Sequence, residues 1–287
     1  MPLLKIIGIT LLVLLLLMIG LLQLNFFSFR EKPEAMNAYL EAQGVGKAEF
    51  LRVQAGAHSV HYARIGAAEK PLVVMVHGSP GSMKDFKSYL GDAELLEVAQ
   101  VIAVDRPGFG YSDYGKTEAS LELQAAAVKA VIDRHPSEQV ILVGHSYGGP
   151  VIARVAMDYP ELVDGLVIVA GSIDPELEPR EWWRKPADWA LMRAILPESM
   201  VVCNQEIMAL YDELMAMLPM WQQIRCPVVV VQGTDDKLVP AGNAYFAERM
   251  LADGQQVQLE MVEGGNHFII WTMQDEIVQV LKNLIEH

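Results

Sequence analysis

From residue 47 onwards, short apolar runs alternate with stretches whose apolar positions recur every three or four residues. Runs with no polar face suit strands buried on both sides, and the longer periodic stretches suit helices packed across them. The pattern predicts strands at 49–54, 59–65, 72–77, 101–105, 140–144, 165–170, 228–232 and 258–262. It predicts helices at 82–90, 118–134, 149–158, 241–251 and 275–286, each short enough to be a crossover. The expectation is an α/β domain with a mostly parallel, eight-stranded sheet flanked by helices.

Two segments depart from this alternation. Between Ser172 and Cys226 no strand signal appears, and Trp182, Trp183, Trp189, Met192, Met208 and Met215 crowd the stretch. An insertion of this length reads as a separate helical layer, a cap at 173–225 bordering an apolar pocket. At the other end, residues 3–24 carry Lys5 as their only charge. Residues 6–22 reach the lower limit for spanning a bilayer, and the flanking residues lengthen the run. The run is too long for a cleaved signal, and Asn25-Phe26-Phe27-Ser28-Phe29 is too bulky for a cleavage site. A single-pass transmembrane anchor at 3–24 is therefore expected, then a polar linker at 25–46 that includes a short helix, and the domain at 47–287. Lys5 on one side nearly balances Arg30 and Lys32 on the other, and the short amino tail places the domain on the extracytoplasmic side.

Composition narrows the function. With 52% hydrophobic residues and 20% charged, the chain is neither disordered nor fibrous. Its 36 acidic residues against 22 basic give a net charge of −14, which disfavours a nucleic-acid partner. Cys203 and Cys226 cannot make a disulfide framework and have no zinc-type spacing; they are expected as core thiols, with one bridge as the alternative. His58 and His61, three apart on a predicted strand, face opposite sides and cannot share a metal.

The chemistry gathers where strands end. The strand at 140–144 runs into Gly144-His145-Ser146-Tyr147-Gly148-Gly149 and then a helix. Glycines on either side allow a sharp turn that exposes Ser146, and that position, more than the G-x-S-x-G motif, marks it as a nucleophile. A serine hydroxyl needs a base, and His267, in the loop after the last strand, is the histidine placed to supply it. The base needs a carboxylate, and Asp235 and Asp236 both follow the strand at 228–232. For the oxyanion, the N–H of Tyr147 and the N–H of Ser79, in the glycine-rich turn after the third strand, are the candidate donors.

Together these motifs resemble the α/β-hydrolase superfamily, in its serine-nucleophile, esterase- or lipase-like branch. The likeness runs from about residue 47 to the end. It rests on His77-Gly78-Ser79-Pro80-Gly81, Asp105-Arg106-Pro107-Gly108-Phe109-Gly110-Tyr111-Ser112, the elbow around Ser146, the stretch from Gly233 to Pro240, and Gly265-Asn266-His267-Phe268. The resemblance implies that the acid is Asp236, three after Gly233 and four before Pro240, and that Asp105 and Arg106 are structural loop partners. It also implies a cap between the sixth strand and the acid. Relatives that open epoxides or cleave carbon–halogen bonds carry an aspartate where this chain has Ser146, which argues against both. The expected activity is hydrolysis of a carboxylic ester, or a related acyl bond, of a small to medium hydrophobic substrate by a monomer, with no metal or organic cofactor implied. The same triad also serves perhydrolysis, carbon–carbon hydrolysis and acyl transfer, and a non-catalytic, membrane-tethered binding protein is the rival from another class.

Overall fold

The computed structural model describes residues 2–22, 25–251 and 257–286, without the side chains of residues 2–4, 12, 15, 16, 22, 25 and 26. The eight strands are β1 (Glu49–Ala55), β2 (His58–Ile65), β3 (Leu72–Val76), β4 (Gln100–Val104), β5 (Val140–His145), β6 (Gly165–Val169), β7 (Val228–Gly233) and β8 (Val257–Val262). They form one sheet in the order β1-β2-β4-β3-β5-β6-β7-β8. β1–β2 and β2–β4 pair antiparallel, and the remaining pairs are parallel. The run Val-Val-Val-Val-Gln-Gly of β7 is buried throughout, as a strand covered on both faces must be.

Alternation along β3 shows how the two faces are filled. Leu72, Val74 and Val76 join a core containing Val128 and Val151, while Val73 and Met75 point into the opposite core with Tyr89 and Leu281. Seven helices of nine or more residues occur among the described residues: α1 (Pro2–Leu22), α2 (Pro33–Ala42), α3 (Leu121–Ile132), α4 (Gly148–Asp158), α5 (Glu198–Met217), α6 (Gly242–Met250) and α7 (Gln274–Glu286). α3 starts later than the apolar pattern suggests because the Ser120 side chain accepts the Leu123 N–H and caps it there. A short helix at Ala93–Val98, capped by Asp92, has no counterpart in the apolar pattern; at six residues it is too brief for periodicity to register. The helix expected at 82–90 is a 3-10 turn, Met83–Phe86, followed by one α turn, Lys87–Leu90.

The structure bears on three further expectations, and one of them is overturned. The expected transmembrane anchor is corrected, because among the described residues no helix is long and apolar enough to cross a membrane. Residues 23 and 24 of the expected span lie outside the described residues. What is described of α1 falls short of the roughly 20 consecutive apolar positions that a hydrocarbon core about 30 Å thick requires. The single-pass location, the extracytoplasmic placement and the membrane as a partner fall with the anchor. In the stretch expected as a linker, α2 buries Met36 and Leu40 completely against the sheet. Cys203 and Cys226 are both buried and unbridged, so the alternative disulfide is not formed.

The order of the strands reverses at β3, which lies between β4 and β5. Beyond it the chain leaving β3 packs into one core through Phe86 and Tyr89, and the chain leaving β5 packs into the other through Val151 and Ile152; such a switch point opens a crevice at the edge of a parallel sheet.

Candidate active site

β5 ends at His145 and α4 begins at Gly148, so the chain reverses within two residues. Ser146 takes a φ of +55°, in the left-handed region that side chains disfavour. Its N–H donates to the Val169 carbonyl at 3.0 Å, and its own carbonyl accepts the Gly149 N–H at 3.0 Å, so the strained turn is held on both sides. Missing side chains make the turn passable. A Cβ on Gly148 would lie 2.1 Å from the Val76 oxygen, and one on Gly78 would lie 2.9 Å from Cβ of Ser146. The loop after β3 is thus pressed directly against the serine.

Asp236 follows β7, and its Oδ1 accepts the N–H groups of Leu238 and Val239 at 2.8 Å each. Its Oδ2 lies 2.8 Å from Nδ1 of His267. A carboxylate can only accept, so Nδ1 carries the proton and Nε2 is the basic nitrogen. Burial pushes the Asp236 carboxyl up, but the bonds from His267 and the two N–H groups outweigh it and hold its pKa below the ordinary value. Asp235, the neighbouring candidate, is exposed, and its N–H donates to the Gly265 carbonyl at 2.9 Å. The structure therefore brings Asp236 to His267 and leaves Asp235 outside.

His267 is also held from behind. Nε2 of His145 lies 3.1 Å from the His267 carbonyl, which requires His145 to donate, and Trp271 packs edge-on against the His145 ring. Burial, and then the neighbouring His267, lower the His145 pKa to about 4, so the ring is neutral near pH 7.

Ser79, Ser146, Tyr147 and His267 all line one cavity of about 640 Å³, with Asp236 behind His267. Leu196, Met200, Ile207 and Leu210, from the helical segment between β6 and β7, form an apolar wall of the same cavity. The N–H groups of Ser79 and Tyr147 have no acceptor among the described residues. No cluster of three or more His, Cys, Asp or Glu is arranged to hold a metal ion among the described residues.

Residues 71–192 match the family model described as alpha/beta hydrolase fold. The chain belongs to the α/β-hydrolase superfamily. Within it, the chain is 28% identical over 134 residues to "Epoxide hydrolase 4" of Mus musculus, covering 46% of this chain and 37% of that one. It is 31% identical over 140 residues to "2-hydroxy-6-oxononadienedioate/2-hydroxy-6-oxononatrienedioate hydrolase" of Pseudomonas sp, covering 47% and 48%. The matched part thus spans less than half the length of either relative. Among solved structures, a serine hydrolase from Cycloclasticus zankles superposes with a TM-score of 0.66 at 17% identity, over 83% of this chain and 98% of that one.

This member of the superfamily carries one feature at its site that its sequence did not reveal. Arg106 and Glu206 are both fully buried and paired, Nη1 to Oε1 at 2.6 Å. Arg106 also donates to the carbonyls of His77 and Gly78 at 2.9 Å each, and the Ser79 hydroxyl donates to Oε2 of Glu206 at 2.6 Å. Gln124 completes the network, accepting from Arg106 at 2.6 Å and donating to Glu206 at 2.8 Å. The backbone N–H of Arg106 donates to Nε2 of His77, whose Nδ1 faces the Gly78 carbonyl at 2.7 Å; these two bonds fit only a neutral ring. Burial, reinforced by Arg106, depresses the His77 pKa to match. Helix α5 is thereby wired to the loop that carries the Ser79 N–H. The signal in the sequence was a charge on an apolar stripe: Val202, Cys203, Leu210, Leu214 and Met217 recur at helical spacing, and Glu206 sits among them.

Proposed function

We propose that this α/β-hydrolase is a serine hydrolase that cleaves a carboxylic ester, or a related acyl bond, of a small to medium hydrophobic substrate. In this reading Nε2 of His267 takes the proton of Ser146 as its oxygen attacks the carbonyl carbon. Asp236 holds the imidazole and stabilises its protonated form. The N–H groups of Ser79 and Tyr147 receive the oxyanion of the tetrahedral intermediate. His267 returns the proton to the leaving alcohol, and a water molecule, deprotonated by the same nitrogen, releases the acyl group from Ser146. Residues 173–225 act as the cap, and their apolar wall is the reason for preferring a hydrophobic acyl or alcohol part.

The observation carrying this reading is the strained, half-buried Ser146 sharing a cavity with a histidine whose far nitrogen is fixed by a buried carboxylate. Epoxide opening, named for one relative, is not proposed because a serine stands at the elbow. The test compares the full chain with its Ser146→Ala variant, using a fluorophosphonate probe and p-nitrophenyl esters of increasing acyl length. Labelling and turnover by the parent chain, both lost in the variant, are expected. A folded parent chain that neither labels nor turns over any ester overturns the reading.

A further inference from the structure

Two residues that line the cavity carry buried polar atoms that acyl transfer does not use. Asn204, on α5, is 5% exposed, and its Nδ2 donates to the Arg184 carbonyl at 2.9 Å. That bond sets the orientation of the amide, because a flip would turn Oδ1 against a carbonyl oxygen. Oδ1 is then the free end, and it is buried with no partner. Nε of Arg184 is likewise buried with no acceptor, although the same guanidinium pairs through Nη2 with Glu181 at 2.5 Å. Both residues line the cavity that holds Ser146 and His267. Unpaired buried polar atoms are costly, and here an acceptor and a donor belong to two residues that line the same cavity.

Charge narrows what could pair with them. Glu181 pairs with Arg184, and of the charged residues lining the cavity Arg184 and Lys237 are matched in number by Glu178 and Glu181, so the site offers no surplus positive charge, and Oδ1 of Asn204 would repel a carboxylate. The surrounding wall, with Leu196, Met200 and Ile207, is apolar. We infer that Asn204 and Arg184 form a recognition subsite for an uncharged group that both donates and accepts a hydrogen bond, a carboxamide or hydroxyl, borne on an otherwise apolar acyl chain. This assignment rests on the acyl-hydrolase reading above and specifies its substrate class. A carboxamide would give an N–H to Oδ1 of Asn204 and take the Nε–H of Arg184 on its carbonyl oxygen.

The test uses three p-nitrophenyl esters of matched length on the full chain: hexanoate, the monoamide of adipate and the free-acid monoester of adipate. The amide ester is expected to exceed hexanoate in kcat/KM by about tenfold, the scale of buried hydrogen bonds, with the free acid lowest. Asn204→Leu should bring the amide-to-hexanoate ratio close to one; because the readout is a ratio, a general loss of activity or folding does not imitate it. No amide preference in the parent chain, or a preference that survives Asn204→Leu, overturns the subsite. Binding separates this from failure of the catalytic reading. NMR titration of the Ser146→Ala chain with hexanamide should show tighter binding than with hexanoate, weakened when Asn204→Leu is added. If no ester is hydrolysed yet hexanamide binding depends on Asn204, the hydrolase reading falls and the subsite stands; Asn204-independent binding sinks the subsite whatever the esters show.

Discussion

A single hydrogen atom decides whether the Ser146 turn can exist. The α-hydrogen of Gly148 faces the carbonyl of Val76 where a methyl group would sit 2.1 Å from its oxygen, and backbone cannot yield as a flexible side chain can. Gly148→Ala is therefore expected to cost about 3 kcal/mol, read as a lowered urea midpoint; a midpoint within error of the parent would show that the end of β3 gives way freely. At this scale the sequence was most informative where chemistry restricts residue type. Ser146 and His267 stand out as candidates because a nucleophile and a base are expected after strand ends, and the family spacing points to Asp236, the carboxylate that meets His267, over Asp235. Glu206, Arg184 and Asn204 could not be found that way. Each acquires its meaning from a partner far along the chain or from a cavity, and neither leaves a local mark.

Among the elements, α5 does two jobs, lining the cavity with Met200 and Ile207 and reaching the loop after β3 through Glu206. Both ends of the Arg106–Glu206 pair are fully buried. Removing one partner strands the other, so Glu206→Leu alone is expected to destabilise the fold by about 3–5 kcal/mol. Arg106→Met together with Glu206→Leu should cost less than that single change, since no buried charge remains uncompensated. Denaturant titration of both singles and the double gives the coupling; strictly additive losses would mean the pair does not act as a unit. The elements themselves were visible in advance to very different degrees. Buried strands such as β7 stood out as unbroken valine runs, and α7 as a stripe of Ile277, Val278 and Leu281. The six residues at 93–98 and the broken helix at 82–90 were not resolved, because one or two turns carry too few positions for a period to emerge.

For the molecule as a whole, acid should act in two opposing directions. Asp85, in the 3-10 turn beside the Ser146 cavity loop, accepts the Ser82 N–H at 3.2 Å, and burial raises its pKa to about 7. Between about pH 4, where an unfolded aspartate titrates, and 7, the folded chain holds a proton there that the unfolded chain has lost. Its stabilising contribution is complete below about 4 and disappears as pH rises to 7. His145 runs the other way. Folded, it stays neutral down to about 4, whereas unfolded it takes a proton below about 6.5, so its contribution is complete above 6.5 and is lost as pH falls towards 4. Asp85→Asn removes only the first trend, and its stability is expected to climb more steeply between pH 5 and 7 than the parent's; parallel curves would show that Asp85 does not hold this proton. The whole architecture was legible because eight strands separated by crossovers leave few alternatives, while the amino-terminal run, read by hydropathy alone, led to an anchor that the described helices do not bear out. The order of the sheet also has a consequence in time. Ser146 follows β5, whereas Asp236 and His267 arrive with β7 and β8 at the sheet's far edge. At about 5–20 residues per second, the roughly 120 residues between Ser146 and His267 take about 6–24 s to synthesise. A nascent chain thus displays Ser146 well before His267 and Asp236 can pair, and the proposed triad exists only once the last strand docks.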